Sequence, residues 1–291
     1  MKFKYRLQDD SLSFEKGVEI LKGRLPNHVF KDWPGRTLSG KENQFLVSRL
    51  SERGIKVKSF RVIKQEYREY LEKVNYKKRY PGYYPGSFHE KTLEHFIALK
   101  LLRSNLAKGR RFIDIGAESS PHSKIFSRLT GCKGYRQDIR YPKGVWWRKI
   151  GSDASSIPVK ENFFHSALAA CSIEHFENDS DIRFMKEMPR VLSIGGLIVV
   201  IPLYLHEKAF CATDPKFSVP GNVTFDAGID IHCVDGWRNR HGRFYSPQTL
   251  FERLLEPNLQ RMDFLVYYIE NFKEIHESTY CRFALVGKKI A

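Results

Sequence analysis

Long apolar runs are the first thing this 291-residue chain lacks. The longest, "LIVVIPLYL" from Leu197 to Leu205, falls well short of the ~20 residues that cross a bilayer, so no transmembrane helix is expected. The opening "MKFKYRLQDD" has no apolar core, so no signal peptide is expected. Cysteine is sparse: five residues, scattered and without a CxxC pair, give neither a zinc site nor a disulfide framework. A reducing, cytoplasmic setting follows as the expectation. Repeats and low-complexity tracts are also missing. Acidic side chains are outnumbered, 33 against 49 Lys and Arg, for a net charge of +16. Residues 1–80 hold twenty Lys and Arg against ten Asp and Glu. A segment of that sign attracts nucleic acid, anionic lipid or anionic glycans, or is simply a solvated face.

Glycine is short where it is most expected. "RRFIDIGAESSPHS" (Arg111 to Ser123) reads as a buried strand running into a turn and a helix start. Nucleotide-binding α/β loops of this kind carry two or three glycines. Here Gly116 stands alone, followed by Ala117, Glu118, Ser119 and Ser120.

What is present is a regular alternation. Residues 1–85 read as a basic, mainly helical N-terminal extension. It includes a candidate helix from Ser59, as cap, to Arg79, with Val62, Ile63, Tyr67, Tyr70, Leu71 and Val74 at helical spacing. "YPGYYPGS" (Tyr80 to Ser87) breaks the chain, and residues 86–291 read as one α/β domain. Strands are expected at Phe112–Ile115, Gly134–Asp138, Arg148–Ser152, Phe164–Ala170 and Leu197–Ile201, with helices over Pro121–Thr130 and Ser180–Leu192 between them. Buried strands alternating with helices predict a Rossmann-like, mostly parallel sheet with right-handed crossovers. "YSPQTLFERLLEP" predicts a helix with Ser246 as cap and Pro247 at its first position. "MDFLVYYIENF" and "TYCRFALVGKKI" then predict an antiparallel pair at the sheet edge.

Ligands of such sheets sit at the carboxyl ends of the strands. Four polar groups fall there: Asp114 with Gly116, Asp138, Asp153 with Ala154, and Cys171-Ser172-Ile173-Glu174-His175. Gly116 allows a sharp turn and close approach to a ligand. Asp138 can accept from the hydroxyls of a ribose. Asp153 can accept from an exocyclic amine, with the Ala154 N–H offered to a ring nitrogen. Singly, each Asp is as well explained as a turn or cap residue; four in register with four strands is the stronger signal.

From Phe88 to Ile290 the chain resembles class I S-adenosylmethionine-dependent methyltransferases of the seven-stranded, type-11-like kind. The most specific stretch runs from "GSDASSIPVKENFF" through "CSIEHF" to "EMPRVLSIGGLIVV", matching the family pattern at Asp153, Ala154, Pro158, Phe164, Glu174, His175, Glu187, Arg190, Val191, Leu192, Gly195 and Gly196. The resemblance implies a seven-stranded sheet with its last strand inserted antiparallel, and S-adenosylmethionine as cofactor, leaving as S-adenosylhomocysteine. The donor carries no pyrophosphate, so a single loop glycine suffices. Asp114 is expected to anchor the loop and the methionine ammonium, Ala117 to lie in the same loop, and Ser119 and Ser120 to meet the carboxylate. Cys171 and Ser172 are expected beside the cofactor.

The fold leaves the acceptor open. The insertion after the fifth strand, Leu203 to Phe244, is the expected acceptor segment. Trp237 and Tyr245 are candidates to stack on a sugar or aromatic ring, and Arg238, Arg240 and Arg243 to grip an anionic acceptor. His232, His241 and His175 are candidate bases for a hydroxyl acceptor, with Asp235 as orienter. No metal is expected. O-methylation of a small or glycan-like anionic acceptor, with a histidine as general base, is the leading expectation. Methylation of RNA or another nucleic acid is the alternative, as is a non-catalytic partner-binding subunit. Surface contact with a membrane through the basic N-terminus also fits.

Overall fold

In the computed structural model, residues 11–35 and 39–291 are described. The first ten residues of the basic segment therefore lie outside the described part. Twelve strands follow in chain order among the described residues: β1 (Phe30–Lys31), β2 (Val57–Phe60), β3 (Arg111–Ile115), β4 (Lys133–Trp146), β5 (Lys149–Gly151), β6 (Phe164–Ala170), β7 (Leu192–Ile201), β8 (Phe210–Thr213), β9 (Asp230–Cys233), β10 (Gly242–Phe244), β11 (Met262–Ile269) and β12 (Phe283–Lys289). The main sheet has the order β2-β11-β12-β7-β6-β3-β4-β5. β12 lies antiparallel between β11 and β7, the reversed last strand that the resemblance implies.

The core strands are buried on both faces, as a parallel sheet covered by helices requires. Ile113, Ile115, Ala167, Ala169, Ile198 and Val200 point to one layer, with α2 (Gly40–Glu52) and α7 (Ser180–Val191) supplying Leu46, Leu50, Phe184 and Met188. Phe112, Leu168, Val199 and Ile201 point to the other, against Tyr67, Tyr70 and Val74 of α3 (Lys64–Val74), Phe96 and Ile97 of α5 (Phe88–Leu102), and Ile125 and Phe126 of α6 (His122–Thr130). Alternate residues of one strand thus fill opposite layers, the period-2 rule at work.

The expected helix from Ser59 is corrected. Val57–Phe60 is instead an eighth strand, β2, pairing in parallel with Val266–Ile269 and covering the edge that β11 would otherwise expose. Val62 belongs to the connection, its backbone N–H and C=O both held by the Asn271 side chain at 2.8 and 2.9 Å. Helix α3 begins at Lys64 and ends at Asn75, which takes a left-handed φ of 53°. The partners of β2 lie some two hundred residues along the chain, beyond the reach of local periodicity.

The insertion builds a second, four-stranded sheet, ordered β1-β9-β8-β10. Its outer strand β1 comes from the N-terminal segment and pairs in parallel with β9, Phe30 opposite Ile231. Residues before the Tyr80–Ser87 break therefore contribute a strand to each sheet. The helix expected from Ser246 is present at its start: Ser246 Oγ accepts from the Thr249 N–H at 3.1 Å in a capping box, with Pro247 at the first helical position. Among the described residues no helix is long and apolar enough to cross a membrane.

Candidate active site

A cleft of about 860 Å³ opens at the carboxyl ends of β3 to β7 and is roofed by the insertion. It is lined on the sheet side by Gly116, Asp138, Asp153, Ala154, Cys171 and Ser172, six of the ten residues expected to meet the cofactor. Gly116 is required twice over. Its φ is +63°, and a Cβ there would fall 2.8 Å from Ser172 Cβ. The loop and the end of β6 thus approach with no room for a side chain between them. Ser172 Oγ is buried in this cradle and has no hydrogen-bond partner.

Asp138 is nearly buried and pre-oriented. One carboxylate oxygen accepts from the Glu118 N–H at 2.7 Å, the other from the Arg140 N–H at 2.8 Å. A carboxylate has about four acceptor positions, so each oxygen retains capacity for a ligand hydroxyl. Gln137, which sequence reasoning missed, ties the adjacent loops together. Its Oε1 accepts from the Gly116 N–H at 3.3 Å, and its Nε2 donates to Ser152 O at 2.6 Å. Asp153 Oδ1 accepts from both the backbone and the hydroxyl of Ser155 at 2.8 Å.

The other four cofactor candidates do not line the cleft. Asp114 is buried, accepting from Ser120 Oγ at 2.9 Å and lying 3.4 Å from His122 Nδ1. It holds the loop from behind, and Ser120 turns its hydroxyl onto it. The Ala117 N–H is already bonded to Gln137 O at 2.9 Å. Ser119 is exposed and outside the cleft.

The roof differs more from expectation. Of the four catalytic candidates only His175 reaches the cleft. Its Nδ1 lies 2.6 Å from the carbonyl oxygen of His241, so the Nδ1 proton is donated there and Nε2 keeps its lone pair. Nε2 is 3.8 Å from Glu174 Oε1. Glu174 is itself buried, its Oε2 has no partner, and burial pushes its carboxyl pKa up. His241 is fully enclosed: Nδ1 bonds to Glu174 O at 3.1 Å, Nε2 faces Cys211 Sγ at 3.4 Å, and burial holds its pKa well below the ordinary value. His232 sits in the second sheet, bonded to Asp32 O and packed on Phe210 at 4.4 Å, its pKa also lowered by burial. Asp235 is at the surface in an ion pair with Lys216 at 2.8 Å.

Among the acceptor candidates, Trp237 and Arg240 line the cleft; Arg238, Arg243 and Tyr245 do not. Trp237 lies so close over Gly242 that a Cβ at that position would fall 2.2 Å from its ring. Arg240 is held by Glu177 at 2.7 Å. Arg243 is buried in a structural network: it bonds to both oxygens of Asp226 and to the carbonyls of Phe176 and Asn178, and lies 3.2 Å from Asp181. Tyr245 donates to Asp181 at 2.8 Å, and Arg253 grips the same carboxylate at 2.7 Å. These charges fasten the insertion to α7. Arg238 is exposed with a φ of 60°, its N–H bonded to Asp214 at 3.0 Å.

The cleft also has aromatic walls that sequence reasoning did not assign, Tyr84, Tyr204, Phe244 and Tyr280. Tyr204 packs on Phe244 at 5.0 Å and stacks on Tyr280 at 6.3 Å. Lys91 of α5 enters the floor, bonded to Glu94 at 3.2 Å and to Cys171 Sγ. Tyr204 had a signal in retrospect, since it follows the carboxyl end of β7 as the other site residues follow theirs. Among the described residues no group of three or more His, Cys, Asp or Glu is arranged to hold a metal ion.

No protein-family model and no curated protein sequence matches the chain. In fold the chain is similar to solved S-adenosylmethionine-dependent methyltransferases. One is the Burkholderia thailandensis 1,6-didemethyltoxoflavin-N1-methyltransferase, with 1,6-didemethyltoxoflavin and S-adenosylhomocysteine bound, at 14% identity over 81% of this chain and 94% of that one, with a TM-score of 0.43. Another is a methyltransferase from Methanosarcina mazei, at 16% identity over 65% and 97% of the two chains, TM-score 0.42. A third is geranyl diphosphate methyltransferase in complex with GPP and sinefungin, at 11% identity over 67% and 77%, TM-score 0.41.

Proposed function

We infer that the protein is an S-adenosylmethionine-dependent methyltransferase that O-methylates a small acceptor in the aromatic half of its cleft, with His175 as general base. The observation that carries this reading is the convergence of four β-termini on one cavity. There, Asp138 is pre-oriented, the Ser172 hydroxyl has no partner, and Gly116 leaves an open cradle. Asp138 would accept from the ribose hydroxyls, Asp153 and Ala154 would meet the adenine, and Ser172 the methionine end. When bound, the cofactor supplies an electrophilic methyl group on a sulfonium. His175 Nε2 is the acceptor for the proton that a hydroxyl loses as it is methylated, and neighbouring Glu174 stabilises the imidazolium that results. The walls contributed by Tyr204, Phe244 and Trp237 orient a sugar or aromatic ring and exclude water; alignment of this kind can be worth about 7–11 kcal/mol.

The acceptor proposed here is neutral or cationic rather than anionic. Arg243 is committed to Asp226 and Asp181, Arg240 to Glu177, and Lys91 to Glu94, whereas Glu174 Oε2 has no partner. The test is transfer of labelled methyl from S-adenosylmethionine into the small-molecule fraction of a cell extract. His175→Asn should lower that transfer by about 10²–10⁴-fold, the usual worth of a general base, while leaving affinity for S-adenosylhomocysteine unchanged. Full transfer by the variant would remove His175 from the role. A wild type that binds the product cofactor yet transfers nothing would favour a binding subunit.

A further inference from the structure

After the cofactor carboxylate Asp138 the β4 ladder breaks, and the chain pairs back along β5 from Lys143 to Trp146 before turning into β5 itself. Val145 pairs with Ile150 and Trp146 with Lys149, so Trp147 and Arg148 form the turn between them. The turn is built for its place: Trp147 has a φ of 55° and Gly144 one of 111°. Gly151 also has to lack a side chain, because a Cβ there would fall 1.9 Å from Pro142 O. Four apolar side chains are presented outward on this excursion. Trp147 is 88% exposed, Trp146 62%, Val145 47% and Ile139 42%. Two adjacent exposed tryptophans at one turn, with Val145 and Ile139 exposed further along the same excursion, are more uncovered apolar surface than a free turn needs.

The flanks are cationic. Lys143, Arg148 and Lys149 form no ion pair among the described residues, while Arg140 is paired with Glu118. The Arg148 guanidinium lies 5.7 Å from the Trp147 ring, and the Lys149 ammonium 5.3 Å from that of Tyr141. Tryptophan over a ring of Lys and Arg is the composition that partitions to the headgroup region of a bilayer: the indole takes the boundary between apolar and wet, and the cations meet anionic lipid. A single-stranded nucleic acid is instead held in a groove lined with rings. Trp147 stands clear of the protein with the Arg148 guanidinium beside it, and the other exposed apolar side chains of the excursion, Val145 and Ile139, are aliphatic, all of which favours the bilayer.

We propose that the excursion from Ile139 to Arg148 docks the protein on an anionic lipid surface, with Trp146 and Trp147 seated among the headgroups. Ile139 and Arg140 also line the cleft, so docking would bring the cleft mouth to the membrane. The docking surface is independent of the chemistry proposed for the cleft.

The experiment is cosedimentation of the full chain with two kinds of vesicle, phosphatidylcholine alone and phosphatidylcholine mixed with phosphatidylglycerol. Binding is expected only to the mixed vesicles, with tryptophan emission moving to the blue and quenched by lipids with brominated acyl chains. Lys143→Ala and Arg148→Ala should each weaken binding about fivefold, from ~1 kcal/mol per cation at an anionic surface. Trp147→Ser, at an exposed position that leaves folding intact, should weaken binding and lower the quenching, with Trp146 supplying what remains. Three results would overturn the proposal: no binding to the mixed vesicles, binding and quenching unchanged in Trp147→Ser, or tryptophan quenching by single-stranded RNA with none by vesicles.

Discussion

The two halves of the cleft are built by different rules. On the sheet side each polar residue lies just past a strand end or, for Asp138, where the β4 ladder with β5 breaks, so its position is fixed by the strand alone. Asp138, Asp153 and Ser172 reach the same cavity because β4, β5 and β6 are neighbours or near-neighbours in one sheet. On the roof side the polar residues belong to the strands and loops of a second sheet, and each can face the cavity, the core or water. Most face the core. Arg243 and Tyr245 converge on Asp181, and His241 is closed between Glu174 and Cys211. In the roof, Arg243 and His241 therefore serve as anchors.

The sharpest way to break that contrast is to remove the anchor. Asp181→Ala leaves Arg243 and Arg253 without their shared carboxylate in a buried site, and should cost about 3–5 kcal/mol of stability. Urea denaturation would measure it. An unchanged midpoint would mean that the network does not hold the roof.

A smaller effect is expected on the sheet side from Gly116→Ala. A left-handed φ costs a side-chain residue about 1–3 kcal/mol, and the added Cβ would press on Ser172. Affinity for S-adenosylhomocysteine should fall by at least about tenfold by the same magnitude, with a modest loss of Tm. Affinity equal to wild type would move the cofactor away from this cradle.

Acidification gives a smaller effect still. Burial holds the pKa values of His232, His241 and His95, a buried residue of α5, below the ordinary histidine value of 6.5. Their neutral forms favour the folded state, so the stability they contribute is present above pH 6.5 and is lost as the pH falls from there toward their depressed folded values. The Tm should decline through that window, and His241→Asn should flatten the decline. A Tm that rises on acidification below 6.5 would contradict the buried, neutral state of these rings. The smallest effect is expected from Arg238→Ala, an exposed residue off the cleft. Acceptor KM and Tm should stay as in the wild type, and a raised KM would return that arginine to the acceptor site.

The sequence carried the sheet well because its strands announce themselves locally: "FIDI", "SALAA" and "LIVVI" are apolar runs bounded by turn residues. It carried the strand-end residues for the same reason. It did not carry β2, whose partner Val266–Ile269 is remote in sequence, nor the fate of Ser120, which turns back onto Asp114. Arg243 could not be told from a ligand-binding arginine, since the carboxylates that claim it are set by the tertiary fold. The Glu174-His175 pair was visible as a motif, but the local chain does not reveal that Glu174 keeps an oxygen without a partner beside His175. Aromatic walls drawn from four separate segments, as Tyr84, Tyr204, Phe244 and Tyr280 are, leave no pattern that a linear reading can assemble.

Titration calorimetry of S-adenosylhomocysteine into the wild type and into Asp138→Ala tests the reading of the sheet side most directly. Saturable one-to-one binding is predicted for the wild type. The variant should bind at least about a hundredfold more weakly, since hydrogen bonds to a charged group are worth about 1.5–3 kcal/mol each and a ribose offers two hydroxyls. An absence of heat with folded wild type, or equal affinity in both proteins, would contradict the account.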